Sequence, residues 1–164
     1  MRTTAIILGS DSDLPVAEKS MAVLKRLGLP FEVRVISAHR TPETAREFSI
    51  NARKNNIGVI IAIAGKSAAL AGVLAAHTRI PVIGVPVKSA DLGGMDALLS
   101  TAQMPPGVPV ACVAIDGGAN AAWLAARILS VDNEELALRL DDEAAKMAES
   151  VKQKDNDIRT KYSQ

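Results

Sequence analysis

Phe31-Glu32-Val33-Arg34-Val35-Ile36-Ser37-Ala38-His39-Arg40-Thr41-Pro42-Glu43 decides the fold. The first six residues are β-branched and apolar-rich, which reads as a strand. Thr41-Pro42-Glu43 reads as a helix start, with Thr41 as N-cap and Pro42 at the first helical position. A strand thus hands over to a helix across a very short turn. In open α/β sheets that edge is where ligands bind. It is also where unpaired helix N–H groups favour an anion. His39 and Arg40 sit on this handover, in a chain with only two histidines. Imidazole and guanidinium at that place suggest proton transfer beside a phosphorylated ligand. From position alone, a solvated loop histidine beside a surface arginine fits equally well.

Moving outward, the same alternation repeats. Apolar runs at Thr4–Leu8, Val59–Ala64, Val82–Val85 and Val110–Ile115 join Phe31–Ile36 as five predicted strands. Helix-like segments separate them: Pro15–Leu27, Thr41–Asn55, Ala68–His77 and Met95–Gln103, with Ala119–Ser130 after the last strand. Apolar strands alternating with helices indicate a parallel sheet covered on both faces. Five strands predict a flavodoxin-like doubly wound α/β fold in three layers. A dinucleotide fold is disfavoured, because no Gly-x-Gly-x-x-Gly follows the first strand. After Val131 the chain becomes charged and nearly free of Gly and Pro. Leu136, Leu140, Ala144, Met147 and Val151 recur at helical spacing on a narrow stripe. The expectation is an α/β domain over 1–131 and a helical extension over 132–164 that helps to form an oligomer interface.

The composition excludes several classes. A net charge of +1, from 19 basic and 18 acidic residues, gives no footprint for nucleic acid. One cysteine rules out an intramolecular disulfide and a cysteine-based metal site. Cys112 lies in an apolar run and is expected to be a buried strand residue. The first apolar run, Ala5–Leu8, is too short for a signal peptide, and no run approaches a membrane span. A cytoplasmic protein without a membrane partner follows as an expectation.

Several loops at predicted strand ends could carry chemistry. Gly9-Ser10-Asp11-Ser12-Asp13 follows the first strand. Gly9 permits a tight turn, and small hydroxyls with backbone N–H groups can hold phosphate. Asp13 could accept hydrogen bonds from sugar hydroxyls, while Ser and Asp before a helix are equally common as caps. Gly65-Lys66-Ser67 follows the third strand but is no P-loop, because Ile60 stands where the first Gly belongs. It could still cradle a ligand, or be a plain turn with an exposed lysine. His77, near a helix end, reads as a complement to the helix dipole. No spacing of His, Asp or Glu supports a metal site, and Gly-x-Ser-x-Gly is absent.

At these loops the chain resembles the N5-carboxyaminoimidazole ribonucleotide mutase family of purine biosynthesis. The resemblance rests on Gly9–Asp13, Ser37–Pro42, Pro81-Val82-Ile83-Gly84-Val85-Pro86, Gln103-Met104-Pro105-Pro106-Gly107-Val108-Pro109 and Ala119-Asn120-Ala121-Ala122. It implies that a carboxyl group moves from the exocyclic nitrogen of aminoimidazole ribonucleotide to a ring carbon. The implied route is decarboxylation in a closed pocket, then recapture of CO₂, without metal, biotin or ATP. It implies His39 as the proton shuttle, and Ser10, Asp13 and Arg40 as substrate-binding residues. Gly9, Ser12, Ser37, Ala38, Gly65, Lys66, Ser67 and Leu70 complete the expected binding set. No cofactor is expected; the expected partners are the ribonucleotide and further copies of the chain, an octamer by resemblance. One loop departs from the pattern. Mutases usually carry Ala-His-Leu-Pro-Gly where this chain has Ala68-Ala69-Leu70-Ala71-Gly72. Gly65-Lys66-Ser67 with Ala69-Leu70 instead resembles the aminoimidazole ribonucleotide carboxylases, which take free CO₂. The mutase is the main expectation and the carboxylase the alternative. The competing class is a non-catalytic flavodoxin-like nucleotide-binding module, which would bind without a substrate-dependent ultraviolet change.

Overall fold

The structure, a computed structural model, describes residues 1–162. The last two positions of the expected 132–164 extension lie outside the described residues. Five strands form one sheet: β1 (Thr3–Leu8), β2 (Phe31–Val35), β3 (Ile57–Gly65), β4 (Val82–Val87) and β5 (Ala111–Cys112). All pairs are parallel, and the order is β2-β1-β3-β4-β5. That is the flavodoxin-like order, in which the direction of winding reverses between β1 and β3. Five helices alternate with the strands: α1 (Leu14–Arg26), α2 (Pro42–Asn51), α3 (Leu70–Ala76), α4 (Met95–Ala102) and α5 (Gly118–Ser130).

The pleat explains the layers. Ile6, Leu8, Ile61, Ile63, Ile83 and Val85 point to one face, against Ala17 and Leu24 of α1 and Ala121 to Ala126 of α5. Ala5, Ile7, Ile60, Ala62 and Val82 point to the other, against Ala45 and Phe48 of α2 and Leu70 and Leu74 of α3. β3, central and covered on both faces from Ile57 to Ile63, reads as one apolar run because neither face meets water there. α5 is alanine-rich and lies close on α1. A Cβ on Gly118 would collide with the Val16 carbonyl, and the Ser20 hydroxyl donates to the Gly118 carbonyl at 2.7 Å.

Three sequence expectations need correction. The last strand is two residues long, not Val110–Ile115, and Cys112 is only half-buried. The chain still tracks β4 through Val113 N–H to Gly84 O and Asp116 N–H to Pro86 O, but without a regular ladder. β2 is an edge strand, and Val33 and Val35 are exposed rather than covered. The second helix stops at Asn51 rather than Asn55, and the following turn ends with Asn56 in the left-handed region.

The extension is one helix, α6 (Glu134–Tyr162), 29 residues long and so about 43 Å. It starts where Asn133 Oδ1 caps the Leu136 N–H at 3.0 Å. Its first half docks on the domain. Leu136 is fully buried, Arg139 Nη1 donates to Leu27 O at 2.8 Å, and Glu143 pairs with Arg26 at 3.0 Å. Arg26 in turn lies over the Trp123 ring. Beyond Glu143 every described residue is exposed, including Met147, Val151, Ile158 and Tyr162. No helix among the described residues is long and apolar enough to cross a membrane.

Candidate active site

A cleft of about 450 Å³ opens at the carboxyl ends of β1, β2, β3 and β4, across the point where the winding reverses. Every candidate site residue lines it: Gly9, Ser10, Ser12 and Asp13 from the β1 end, Ser37 to Arg40 from the β2 end, and Gly65, Lys66, Ser67 and Leu70 from the β3 end. His77 does not. It follows α3 on a separate concavity lined also by Arg53 and Arg79.

The β1 end is a short 3₁₀ turn over Asp11–Asp13. Ser10 and Asp13 form a reciprocal cap: Ser10 N–H donates to Asp13 Oδ2 at 3.1 Å, and Ser10 Oγ accepts from Ser12 N–H at 3.4 Å. The capping and ligand-binding readings of these residues therefore do not exclude each other. Asp13 is buried, and burial pushes its carboxyl above its ordinary value. The Ser10 N–H opposes that rise and Asp11 adds to it. Gly9 is not in the left-handed region, contrary to the expectation of a glycine-dependent turn. A Cβ there would stand 3.4 Å from Ala64 Cβ, so glycine instead keeps the cleft floor low between β1 and β3.

The β2 end is braced by its own side chains. Thr41 occupies the N-cap position of α2 but makes no cap bond. Its hydroxyl accepts from Ser37 N–H and donates to Ser37 O, both at 3.0 Å. Ser37 Oγ accepts from Arg40 N–H at 3.2 Å and from Arg40 Nε at 3.4 Å. The turn so closed leaves His39 and Arg40 exposed on its outside, lining the cleft. No hydrogen bond of this turn uses the imidazole.

The β3 end turns sharply. Lys66 is in the left-handed region at φ +50°, and two tight turns follow, Ala68 N–H to Lys66 O and Ala69 N–H to Ser67 O. Lys66 Nζ meets Asp91 Oδ2 at 2.8 Å. That bond holds the ammonium above and the Asp91 carboxyl below their ordinary values. The fourth wall, Val87, Lys88, Ser89 and Ala90, was not among the candidates. Asp116, at φ +56°, fixes it by accepting from Lys88 N–H at 2.9 Å. Among the described residues no group of three His, Cys, Asp or Glu could hold a metal ion.

Comparison with known proteins gives the family and the fold. The AIR carboxylase family model matches residues 3–150, nearly the whole described chain. The chain belongs to that family. Over 140 residues it is 55% identical to the N5-carboxyaminoimidazole ribonucleotide mutase of Pyrococcus abyssi, covering 85% of this chain and 80% of the relative. It is 51% identical over 146 residues to the phosphoribosylaminoimidazole carboxylase of Saccharomyces cerevisiae, covering 89% of this chain but 26% of that protein. The crystal structure of Treponema denticola PurE superimposes with a TM-score of 0.82 at 32% identity, covering 99% of each chain. Within the AIR carboxylase family, then, this member combines the His39–Arg40 turn with a lysine-bearing β3 loop and alanine at 69.

Proposed function

We propose that this protein is an N5-carboxyaminoimidazole ribonucleotide mutase, an isomerase of purine biosynthesis. The observation that carries the reading is the meeting of His39 and Arg40 with Ser10 and buried Asp13 in one cleft at the sheet's switch point. The high identity to mutases over most of their length supports the same choice. In the proposed reaction the exocyclic N–C bond breaks and CO₂ is released inside the cleft. The nitrogen takes a proton. The ring carbon attacks CO₂, forming the new C–C bond, and then gives up its own proton. The net movement is one carboxyl group one way and one proton the other. An imidazole, which exchanges protons near neutral pH, suits the shuttle at position 39. Holding CO₂ next to the ring is a proximity effect.

Arg40 is assigned the phosphate and Asp13 the ribose hydroxyls. Arg40→Lys keeps the charge but loses the planar fork. It should weaken the ribonucleotide by roughly tenfold and leave the nucleoside nearly unchanged. Calorimetric titration with both ligands checks this. An unchanged preference for nucleotide over nucleoside would move the phosphate to the Ser10 turn.

A second reading, a carboxylase using free CO₂, is favoured by Gly65-Lys66-Ser67 and Ala69. The two are separated by supplying each substrate at low and at saturating bicarbonate. The mutase works at low bicarbonate and retains label from a carboxyl-labelled substrate. Turnover that requires bicarbonate, incorporates its label and ignores the N-carboxylated substrate would replace the mutase by the carboxylase. No substrate-dependent ultraviolet change with either substrate would leave only a binding module.

The protein is further proposed to work as a homo-oligomer in the cytoplasm. The apolar side chains exposed along the distal half of α6 support the first, since a lone subunit leaves them in water. The single half-buried thiol of Cys112 suits a reducing compartment.

A further inference from the structure

Around the cleft, three side chains carry permanent positive charge: Arg40, Lys66 and Lys88. Of these only Lys66 has an acidic partner among the described residues, Asp91 at 2.8 Å. Asp91 lies outside the cleft lining, on the loop between β4 and α4. That loop is braced without it. Ser89 Oγ donates to Asp96 Oδ1 at 3.4 Å, and Gly93 N–H donates to Ser89 O at 3.1 Å. Among the described residues the Asp91 carboxylate has one partner, the Lys66 ammonium. Both side chains are mostly exposed, 74% and 65%. An ion pair so wet is weak, and its acid can leave for water at little cost. Lys66, in contrast, is fixed at its root. Its left-handed backbone and the two tight turns after it hold the β3 loop. Gly65 pairs with Val87, so this loop stands beside the Lys88 wall.

The proposed substrate and product each carry two anionic groups, a phosphate and a carboxylate. Arg40's fork suits the phosphate. Lys66, a point charge at the cleft's edge, already holds a carboxylate, that of Asp91. We infer that Asp91 is an internal stand-in for the ligand's carboxylate, which displaces it from Lys66 on binding. The inference rests on the ribonucleotide reading above and adds a specificity device to it. Lys66 would tell carboxylated from uncarboxylated aminoimidazole ribonucleotide, and Asp91 would set how strongly by competing for the same ammonium. The competition has a direction. Removing Asp91's charge should tighten the carboxylated ligand and leave the other unchanged.

The experiment titrates full-length protein with 4-carboxy-5-aminoimidazole ribonucleotide and with 5-aminoimidazole ribonucleotide. It uses wild type, Lys66→Met, Asp91→Asn and the double variant. Lys66→Met should lose roughly tenfold in affinity for the carboxylated ligand only. Asp91→Asn should gain a few-fold for that ligand only. The double variant should match Lys66→Met, because Asp91 acts through Lys66. Equal weakening of both ligands by Lys66→Met would assign Lys66 to their shared phosphate and overturn the inference. So would an Asp91→Asn variant that binds the carboxylated ligand no better than wild type. Failure of wild type to bind either nucleotide is a different result. It would sink the ribonucleotide reading and this inference with it.

Discussion

His39→Asn is expected to lower turnover by about 10²- to 10⁴-fold, the range of a lost general acid–base group. Affinity for the ribonucleotide should stay within several-fold. Asparagine keeps a hydrogen-bonding group of similar reach but cannot exchange a proton at neutral pH. The structure makes the substitution a clean one. The turn at 37–41 is closed by Ser37, Arg40 and Thr41, and none of its bonds involves the imidazole. Position 39 is exposed, so no packing is lost. The matching control is His77→Asn. His77 lies on another concavity and should leave turnover near wild type. Initial rates and calorimetric affinities for both variants check the pair. If the position-39 variant turns over normally, the proton is carried by another group. Asp13, which lines the same cleft and whose carboxyl burial raises above its ordinary value, would be the next to test.

The fold was legible because the covered strands write themselves as apolar runs. β3 carries no alternation, and its reading as a doubly covered parallel strand needed nothing outside the segment. What was not legible lay at the edges. Val33 and Val35 have strand-forming side chains whether or not a helix covers them, so the exposure of β2 left no mark in the sequence. β5 failed differently. Val110–Ile115 runs beside β4, with Val113 N–H on Gly84 O and Asp116 N–H on Pro86 O, but only Ala111 and Cys112 enter the ladder. In the site, three of four loops were found because each follows a strand with Gly, Ser or a charge. The fourth wall was missed at Pro86. A proline ordinarily ends a strand. Here the strand runs on to Val87, pairing Pro86 with Ala64, and so carries Lys88 to the cleft. The rule that ligands bind beyond strand ends applied to β4 as well, once its end was placed correctly. The Lys66–Asp91 pair was beyond sequence reasoning, since it joins residues 25 positions apart through a left-handed lysine.

Cutting the chain after Ser130 should have the largest structural effect, and two milder changes should divide it into parts. The proximal half of α6 belongs to the domain. Leu136 is fully buried against α1 and α5, and Leu136→Ala alone should remove about 2–5 kcal/mol of stability. Deleting the whole helix also removes Arg139 from the Leu27 carbonyl and Glu143 from Arg26. It uncovers apolar surface on both helices beneath, so the cut chain should aggregate. The distal half is different. Ala144 and Met147 only border a concavity against Trp123 and Leu124 of α5, and every described residue from Ala144 onward is exposed. Pairs such as Lys152–Glu149 and Arg159–Asp155 support the helix by only about 0.2–0.5 kcal/mol each. Met147, Val151, Ile158 and Tyr162 stay largely in water on a lone subunit, which makes this the surface a partner copy would cover. A cut after Lys146 keeps Leu136, Arg139, Leu140 and Glu143 and removes Met147, Val151, Ile158 and Tyr162. That chain should lose only the helical signal of the removed residues and keep the domain's cooperative unfolding, yet form smaller particles by light scattering. Val151→Glu in the full-length protein should shift the assembly the same way. A full-length protein that scatters as a monomer would remove the oligomer from the picture. Unchanged assembly after the cut at Lys146 would move the interface elsewhere, with the exposed face of β2 the next surface to test.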